Sequence, residues 1–495
     1  MESKQGNYRG VFKATAILGG VQLFSIVIAI IRNKIVSILL GPAGMGIVGL
    51  LGSASSTVTA FTGLGISFSA IKNIASAYEK GDLATLGKII YVVKHLLWFS
   101  GLLGAIVCVL MSRQLSLWSF GNKDFTISFI WISISLFLVQ LTNNNILQIK
   151  GCRQIKWYAK VNVLGNFLSL FITIPLYYLY GVQAIAPVMV LLSVSTFLCS
   201  IFYQKKLGVK EIKTSSAETY EISKDVLYAG IAFASAELFP ILASYYIRIF
   251  ISDRGGLADV GFYSAGFAIL NGYVGMIFTA MSTDYFPRLS AISDDDVKCT
   301  EVVNQQIELS SLILFPLLVL FVIFGRLIVY ILYTPEFFPV TEMIYWGGLG
   351  MLAKVPNWCL GGVLIPKREN KAYFILSLIS AVLYLIFNMW FYSLLGVMGL
   401  GISFLCSHVC DAAISYFYII RRYEIGYYRR IIIELVSFMA VIMVVITLNF
   451  IEFPLYIVWS AEGIIAIIAV SYSYKRLNKL MDLSSFINQK LHGKK

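Results

Sequence analysis

Charge is scarce in this chain. Asp, Glu, Lys and Arg together make up 13% of 495 residues, about half the share found in soluble domains. Only three histidines are present, and no loop carries paired carboxylates. That excludes the acid–base constellations of glycosidases and proteases. The seven cysteines are scattered, without a CxxC, so neither a disulfide framework nor a zinc site is implied. Cys406, His408 and Cys410 are close in sequence, but a step of two residues turns a helix by about 200°. No glycine-rich P-loop is present, so nucleotide-driven work is not expected. No metal or cofactor is implied.

What fills the chain instead is hydrophobic, at 58% of residues with a mean hydropathy of +0.79. About fourteen apolar windows of roughly 20 residues run from end to end, each long enough to cross a bilayer. They include 14–40, 44–68, 226–251, 304–332 and 455–474. Runs of this length predict an all-α polytopic membrane protein and exclude a β-barrel. The net charge of +13 would suggest nucleic acid in a soluble chain, but its distribution argues against that. Lys72, Lys150, Lys205, Lys206, Arg421 and Arg422 fall in one set of connections. The opposite set holds only Arg113, Lys123 and Arg254. By the positive-inside rule both termini are expected in the cytoplasm. The basic excess then meets anionic membrane lipids, not nucleic acid. Lys4, Arg9 and Lys13 precede an apolar run without a cleavage pattern, which reads as an uncleaved first span.

A repeat with a period near 215 organises the chain. Arg32, Gly41 and Gly46 recur as Arg248, Gly256 and Gly261. Gly151-Cys-Arg153-Gln-Ile-Lys156 recurs as Pro366-Lys-Arg368-Glu-Asn-Lys371, and Leu179-Tyr-Gly181 as Leu394-Leu-Gly396. Each copy holds six spans, so the halves share one topology and are parallel repeats with a cleft between them. The expected organisation is a first lobe over 1–206, a cytoplasmic linker at 207–225 and a second lobe over 226–422. Two extra helices and a basic tail follow at 423–495.

Charges at bilayer depth cost at least about 2.5–3.5 kcal/mol, so they usually face a cavity or a partner. Arg32 shares a helical stripe with Ser25 and Gln22, whereas Lys34 lines up with Ile30, Val27 and Leu23. Arg32 is therefore expected to face the cleft, and Lys34 to snorkel to the interface. Arg248 lies on one stripe with Ser244 and Glu237. Two guanidiniums across a cleft suit a phosphate or diphosphate, although Arg248 could instead pair with Glu237 or Asp253. Lys354 shares a face with Gly347, Gly350 and Gly361, as a cavity residue or a packing partner. Glu237, Asp411 and His408 are candidates for proton or sodium coupling. Gln140, Asn143 and Asn144 could meet sugar hydroxyls or serve as helix glue.

Arg32-Asn-Lys-Ile-Val-Ser-Ile-Leu-Leu-Gly41-Pro-Ala-Gly44-Met-Gly46 resembles the end of helix one in polysaccharide and O-antigen flippases. These belong to the multidrug/oligosaccharidyl-lipid/polysaccharide (MOP) exporter superfamily. Asp259-Val-Gly261-Phe-Tyr263 and Asp284-Tyr-Phe-Pro287-Arg-Leu-Ser290 resemble its second-half motifs. The resemblance implies a V-shaped MOP/MATE-like pair of six-helix lobes in the bacterial inner membrane. It implies a transporter, not an enzyme, that flips undecaprenyl-diphosphate-linked oligosaccharide by alternating access. Polysaccharide polymerase and chain-length proteins would be its partners, the chain itself being a monomer. The two extra helices would resemble those that form a lipid-tail groove in peptidoglycan-precursor flippases. Two alternatives stay open: a cation-coupled small-molecule antiporter of the same superfamily, and a membrane-embedded polysaccharide polymerase or transferase.

Overall fold

The computed structural model describes residues 2–451 and 454–481, with side chains from Phe24 onward except at 232, 233, 236, 455 and 481. All regular structure among them is helical. In chain order the helices are α1 (Glu2–Gly63), α2 (Ile66–Glu79), α3 (Leu83–Leu110), α4 (Ser112–Phe120) and α5 (Thr126–Gly151). Then come α6 (Ile155–Tyr180), α7 (Ile185–Lys205), α8 (Ser216–Phe267), α9 (Met276–Ala291) and α10 (Asp296–Ile323). Last are α11 (Gly325–Leu332), α12 (Val340–Gly361), α13 (Asn370–Tyr423), α14 (Arg429–Phe450) and α15 (Leu455–Met481). Among the described residues, nine helical stretches are long and apolar enough to cross a membrane, and some of these run to 51, 54 and 55 residues.

The longest helices turn sharply at single glycines. Gly41 in α1 has φ 64° and ψ −174°, and Gly256 in α8 has φ 79° and ψ −177°. Gly181, after α6, has φ 54° and ψ −133°, and Gly396 in α13 has φ 59° and ψ −138°. Without a Cβ, glycine reaches this left-handed region at little cost. Each pair is separated by 215 residues. Arg153 and Arg368, also 215 apart, adopt φ 54° and 58° although neither is glycine. The sequence period thus recurs as a repeat of rare backbone angles.

Two helix starts obey the same logic. The Asp82 carboxylate caps α3 by accepting from the Thr85 amide at 2.9 Å, and Asp295 caps α10 by accepting from the Lys298 amide at 3.0 Å. Each satisfies a donor that the first turn leaves open.

The chain folds as two compact units. One comprises residues 1–261 with 332–334, and the other 262–331 with 335–495. In the first, Leu51, Phe129, Ile132 and Val188 form one apolar cluster, and Ile74, Leu86, Val93 and Val226 another. Most of α8 packs into this unit through close backbone approaches. A Cβ on Gly46 would strike the Leu257 carbonyl, one on Gly261 the Pro42 carbonyl, and one on Gly65 the Gly230 carbonyl. Ser119 and Tyr245 share a hydroxyl hydrogen bond of 2.7 Å. The 207–225 stretch lies along α3: the Ile212 amide donates to Gly87, and Lys88–Glu218 and Lys94–Glu211 pair at 2.6 and 2.8 Å. The Lys88 ammonium, as hydrogen-bond donor, holds the Glu218 carboxyl below its ordinary range.

In the second unit, Gly347 and Gly350 let α12 close on its neighbours. A Cβ there would collide with Leu270 and Phe404. The α14–α15 pair is fastened to α10 by the Phe315–Phe438 stack, 4.1 Å between centroids. Arg430 and Arg476 both pair with Glu308, Arg476 at 3.0 Å. Asn304 holds the turn before α14, donating to Gly426 and accepting from the Tyr428 amide, both at 2.8 Å. The apolar window at 304–332 is not one helix. It breaks at Phe324, and the separate α11 carries Arg326.

Candidate functional site

Polar side chains inside apolar helices gather in two places, one in each unit. In the first, Ser25 of α1 accepts from Asn166 Nδ2 of α6 at 3.0 Å. Seven residues on, the half-buried Arg32 acts electrostatically on Tyr177 of the same α6, whose ring is buried. The Ser25–Arg32 stripe therefore lies along α6. Among the described residues no carboxylate stands within ion-pair distance of Arg32. Gln22, the third member of the expected stripe, has a side chain outside the described ones. Asn166 and Tyr177 were not anticipated. A polar residue and a phenol spaced 11 apart along α6, on nearly one helical face, were the available signal.

Arg248 is also half-buried, but it folds back on its own helix. Its Nη1 donates to the Ser244 carbonyl at 3.0 Å and also bonds the Ser244 hydroxyl. Ser244 and Arg248 thus share a face, as their spacing of four requires. Glu237, on the same helix, is exposed.

Lys34 departs from expectation. It does not snorkel: it is half-buried and its Nζ donates to the Tyr333 carbonyl. That carbonyl lies in the three-residue segment 332–334, which packs with the first unit. A peptide carbonyl left without a helical partner attracts an ammonium more strongly than the headgroup region does.

The amides of α5 are largely internal. Gln140 and Asn144 are buried. Asn143 Nδ2 reaches Gln140 Oε1 at 3.4 Å, Asn145 Nδ2 donates to Ser200 of α7 at 2.9 Å, and Gln204 donates to Gln148 at 2.8 Å. This ladder joins α5 to α7. Asn143 is half-buried.

In the second unit a polar seam runs between α12 and α13. Lys354 Nζ lies 5.4 Å above the Phe278 ring and interacts electrostatically with His408. His408 packs edge-on against Phe404 at 4.4 Å, and its Nδ1 is 4.0 Å from Asp411 Oδ2. One turn further, Ser415 donates to Asn357 Oδ1 at 2.8 Å. The His408 and Asp411 side chains are only 16% and 7% exposed. Within the described residues, His408 Nδ1 and Asp411 Oδ1 accept or donate no hydrogen bond. Beside the seam, residues Ala268–Val274 form a π-helical stretch, a distortion frequent at functional sites. The seam thus joins three expected residues, Lys354, His408 and Asp411.

Known proteins resemble this chain along most of its length. The lipid III flippases of Escherichia coli (strain K12) and Shigella flexneri are each 19% identical over 411 residues, covering 80% of this chain and 95% of theirs. An inward-facing multidrug resistance MATE transporter of the MOP superfamily superposes with a TM-score of 0.68 at 17% identity, covering 81% of this chain and 94% of that one. The lipid II flippase MurJ in an inward closed conformation superposes with a TM-score of 0.64 at 12% identity, covering 94% and 99%. The fold is therefore that of MOP transporters, and the relatives are flippases and transporters, not enzymes. A model of the family described as polysaccharide biosynthesis protein matches residues 35–342, more than half of the chain, and the chain belongs to that family.

Proposed function

We propose that this protein flips an undecaprenyl-diphosphate-linked oligosaccharide from the cytoplasmic to the periplasmic leaflet of a bacterial inner membrane. The observation that carries the reading is Arg32, a half-buried cation in an apolar helix with no carboxylate at ion-pair distance among the described residues. Keeping such a charge at bilayer depth is costly, and a diphosphate would offset the cost. A guanidinium binds phosphate oxygens in bidentate fashion, and low polarity strengthens the contact. Arg248 would add a second cation, and Asn143 a contact for sugar hydroxyls. The lipid III flippase relatives support a lipid-linked glycan as cargo.

The proposed architecture has fourteen spans. Each of the four longest apolar stretches would cross twice, with turns at or near Gly41, Gly181, Gly256 and Gly396, and α12 would cross once. Two parallel six-span lobes, 1–206 and 226–422, would follow from the 215-residue repeat of backbone angles, with 207–225 joining them. Helices α14 and α15 would be additional, and both termini cytoplasmic. The wider coverage by the lipid II flippase, 94% of this chain against 81% for the MATE transporter, supports a pair beyond the twelve. Cargo would move by alternating access, a rocking of the lobes around the bound headgroup.

His408, Asp411 and Lys354 would couple that motion to a cation gradient. A buried carboxylate beside an imidazole can take up a proton or a cation in one state and release it in another. The same seam favours the second reading, a cation-coupled exporter of small molecules. Reconstitution into proteoliposomes separates the two. The proposal expects flipping of an undecaprenyl-diphosphate-linked oligosaccharide, accelerated by an imposed proton or sodium gradient and insensitive to gradient in Asp411→Asn. Gradient-driven export of a cationic drug with no movement of the lipid-linked sugar would favour the exporter.

A further inference from the structure

A cavity of about 1110 Å³ lies in the second unit, where α10 ends, α12 begins and α14 turns into α15. It is separate from the Lys354–His408–Asp411 seam, none of whose residues line it. Its walls are mostly apolar, but it holds three charges. Arg326 comes from α11, Glu342 from the first turn of α12 and Glu462 from α15. All three act electrostatically on the hydroxyl of Tyr345, which also lines the cavity.

The polar groups form a built site. Glu462 is 3% exposed and accepts from Asn449 Nδ2 at 2.7 Å, and Tyr345 donates to Asn449 Oδ1 at 3.5 Å. Arg326 rests over the Phe338 ring, 4.5 Å from its centroid. Among the described residues neither Arg326, Glu342 nor Glu462 has an ion-pair partner within 4.0 Å. The protein thus surrounds one apolar cavity with one cation and two carboxylates and leaves their charges unmatched.

The pattern selects an occupant. A ligand carrying only negative charge would satisfy Arg326 and be repelled by both carboxylates. A purely cationic ligand would leave Arg326 uncompensated. A zwitterion with phosphate and ammonium a few bonds apart answers both. The cavity lies at a helix-turn end of the unit, the level at which a bilayer presents headgroups. Trp459 at its wall is 68% exposed, as expected of an interfacial aromatic. Exposed Leu327 and Tyr330 extend the apolar surface outward from it, where acyl chains would lie.

We propose that this cavity binds a phospholipid bearing a primary ammonium, its phosphate on Arg326 and its ammonium between Glu342 and Glu462. The lipid is a resident of the bilayer, not the transported cargo. The α14–α15 pair supplies Asn449, Trp459 and Glu462 to the site, so the bound lipid joins that pair to α11 and α12. This role needs no transport, so it stands or falls independently of the flippase reading.

Native mass spectrometry of the full-length protein, released from bilayers of mixed phosphatidylethanolamine, phosphatidylglycerol and undecaprenyl phosphate, tests it. Retention of phosphatidylethanolamine over the other two is expected. Arg326→Gln and Glu462→Gln should each lower that retention about tenfold, the size of a lost charge-assisted hydrogen bond. Glu462→Gln keeps the Asn449 bond and the volume, so a normal elution profile and unfolding temperature would separate lost binding from misfolding. Preferential retention of phosphatidylglycerol would overturn the proposal. Retention of undecaprenyl phosphate would assign the cavity to the cargo's own lipid. Equal retention of phosphatidylethanolamine by both variants would show that the charges play no part.

Discussion

Arg32 and Arg248 stand 216 residues apart, each near the end of a helix that turns at a left-handed glycine. Their surroundings differ. Arg248 spends part of its guanidinium on the Ser244 of its own helix. Arg32 leaves its nearest polar stripe-mate, Ser25, to Asn166 and keeps its own donors toward Tyr177. Backbone constraints have outlasted side-chain partnerships. A turn that needs φ near +60° admits little besides glycine, whereas many partners can compensate a guanidinium.

The comparison breaks first at the arginines. Arg32→Ala should reduce flipping about a hundredfold, the size of a lost contact between buried charges. Arg248→Ala should cost about tenfold, because its intrahelical bonds already use part of its donor capacity. Initial rates in proteoliposomes would show the order, and equal losses would erase the distinction. Arg32→Lys should fall between wild type and alanine, since an ammonium keeps the charge without the bidentate fork.

The turns should respond alike where the arginines do not. Gly41→Ala and Gly256→Ala each place a Cβ at positive φ, which costs about 1–2 kcal/mol. No atom lies within 4 Å of a Cβ at Gly256, so backbone strain is the whole effect there. Matched drops in unfolding temperature are expected. A drop at one turn alone would mean that the repeat of angles does not carry equal strain.

The smallest effects belong to the helix caps. Hydrogen bonds from the Thr85 side chain and amide hold the Asp82 carboxyl below its ordinary value, and the Lys298 amide does the same for Asp295. A depressed carboxylate contributes stability above its unfolded pKa of about 3.9. That contribution is lost as pH falls through the lower folded value. Asp82→Asn and Asp295→Asn should each flatten the acid limb of a stability–pH curve slightly and to a similar extent.

Much of this was legible in the sequence. Helix content, membrane class and the 215-residue period follow from apolar run length and from glycines and arginines at fixed spacing. Arg32, Arg248, Lys354, His408 and Asp411 stood out because charge in an apolar run is conspicuous. The partners did not. Tyr177, Asn166, Asn357 and Ser415 are unexceptional residues until helix packing brings them beside the charges. Lys34 was misread because helical phase describes one helix only, and its acceptor is a backbone carbonyl 299 positions away. The break at Phe324 was hidden by continuous hydrophobicity, and with it the placement of Arg326 in a lined cavity. Glu462 looked like a flaw in an apolar groove, although it is the best-buried group of that cavity's charges.

The central claim is that Arg32 holds a diphosphate headgroup. The most direct measurement is the affinity of the purified protein for undecaprenyl diphosphate and undecaprenyl monophosphate, in wild type and in Arg32→Ala. The account predicts tighter binding of the diphosphate by wild type, with the preference lost in the variant. Undiminished preference for the diphosphate in a folded Arg32→Ala protein would contradict it.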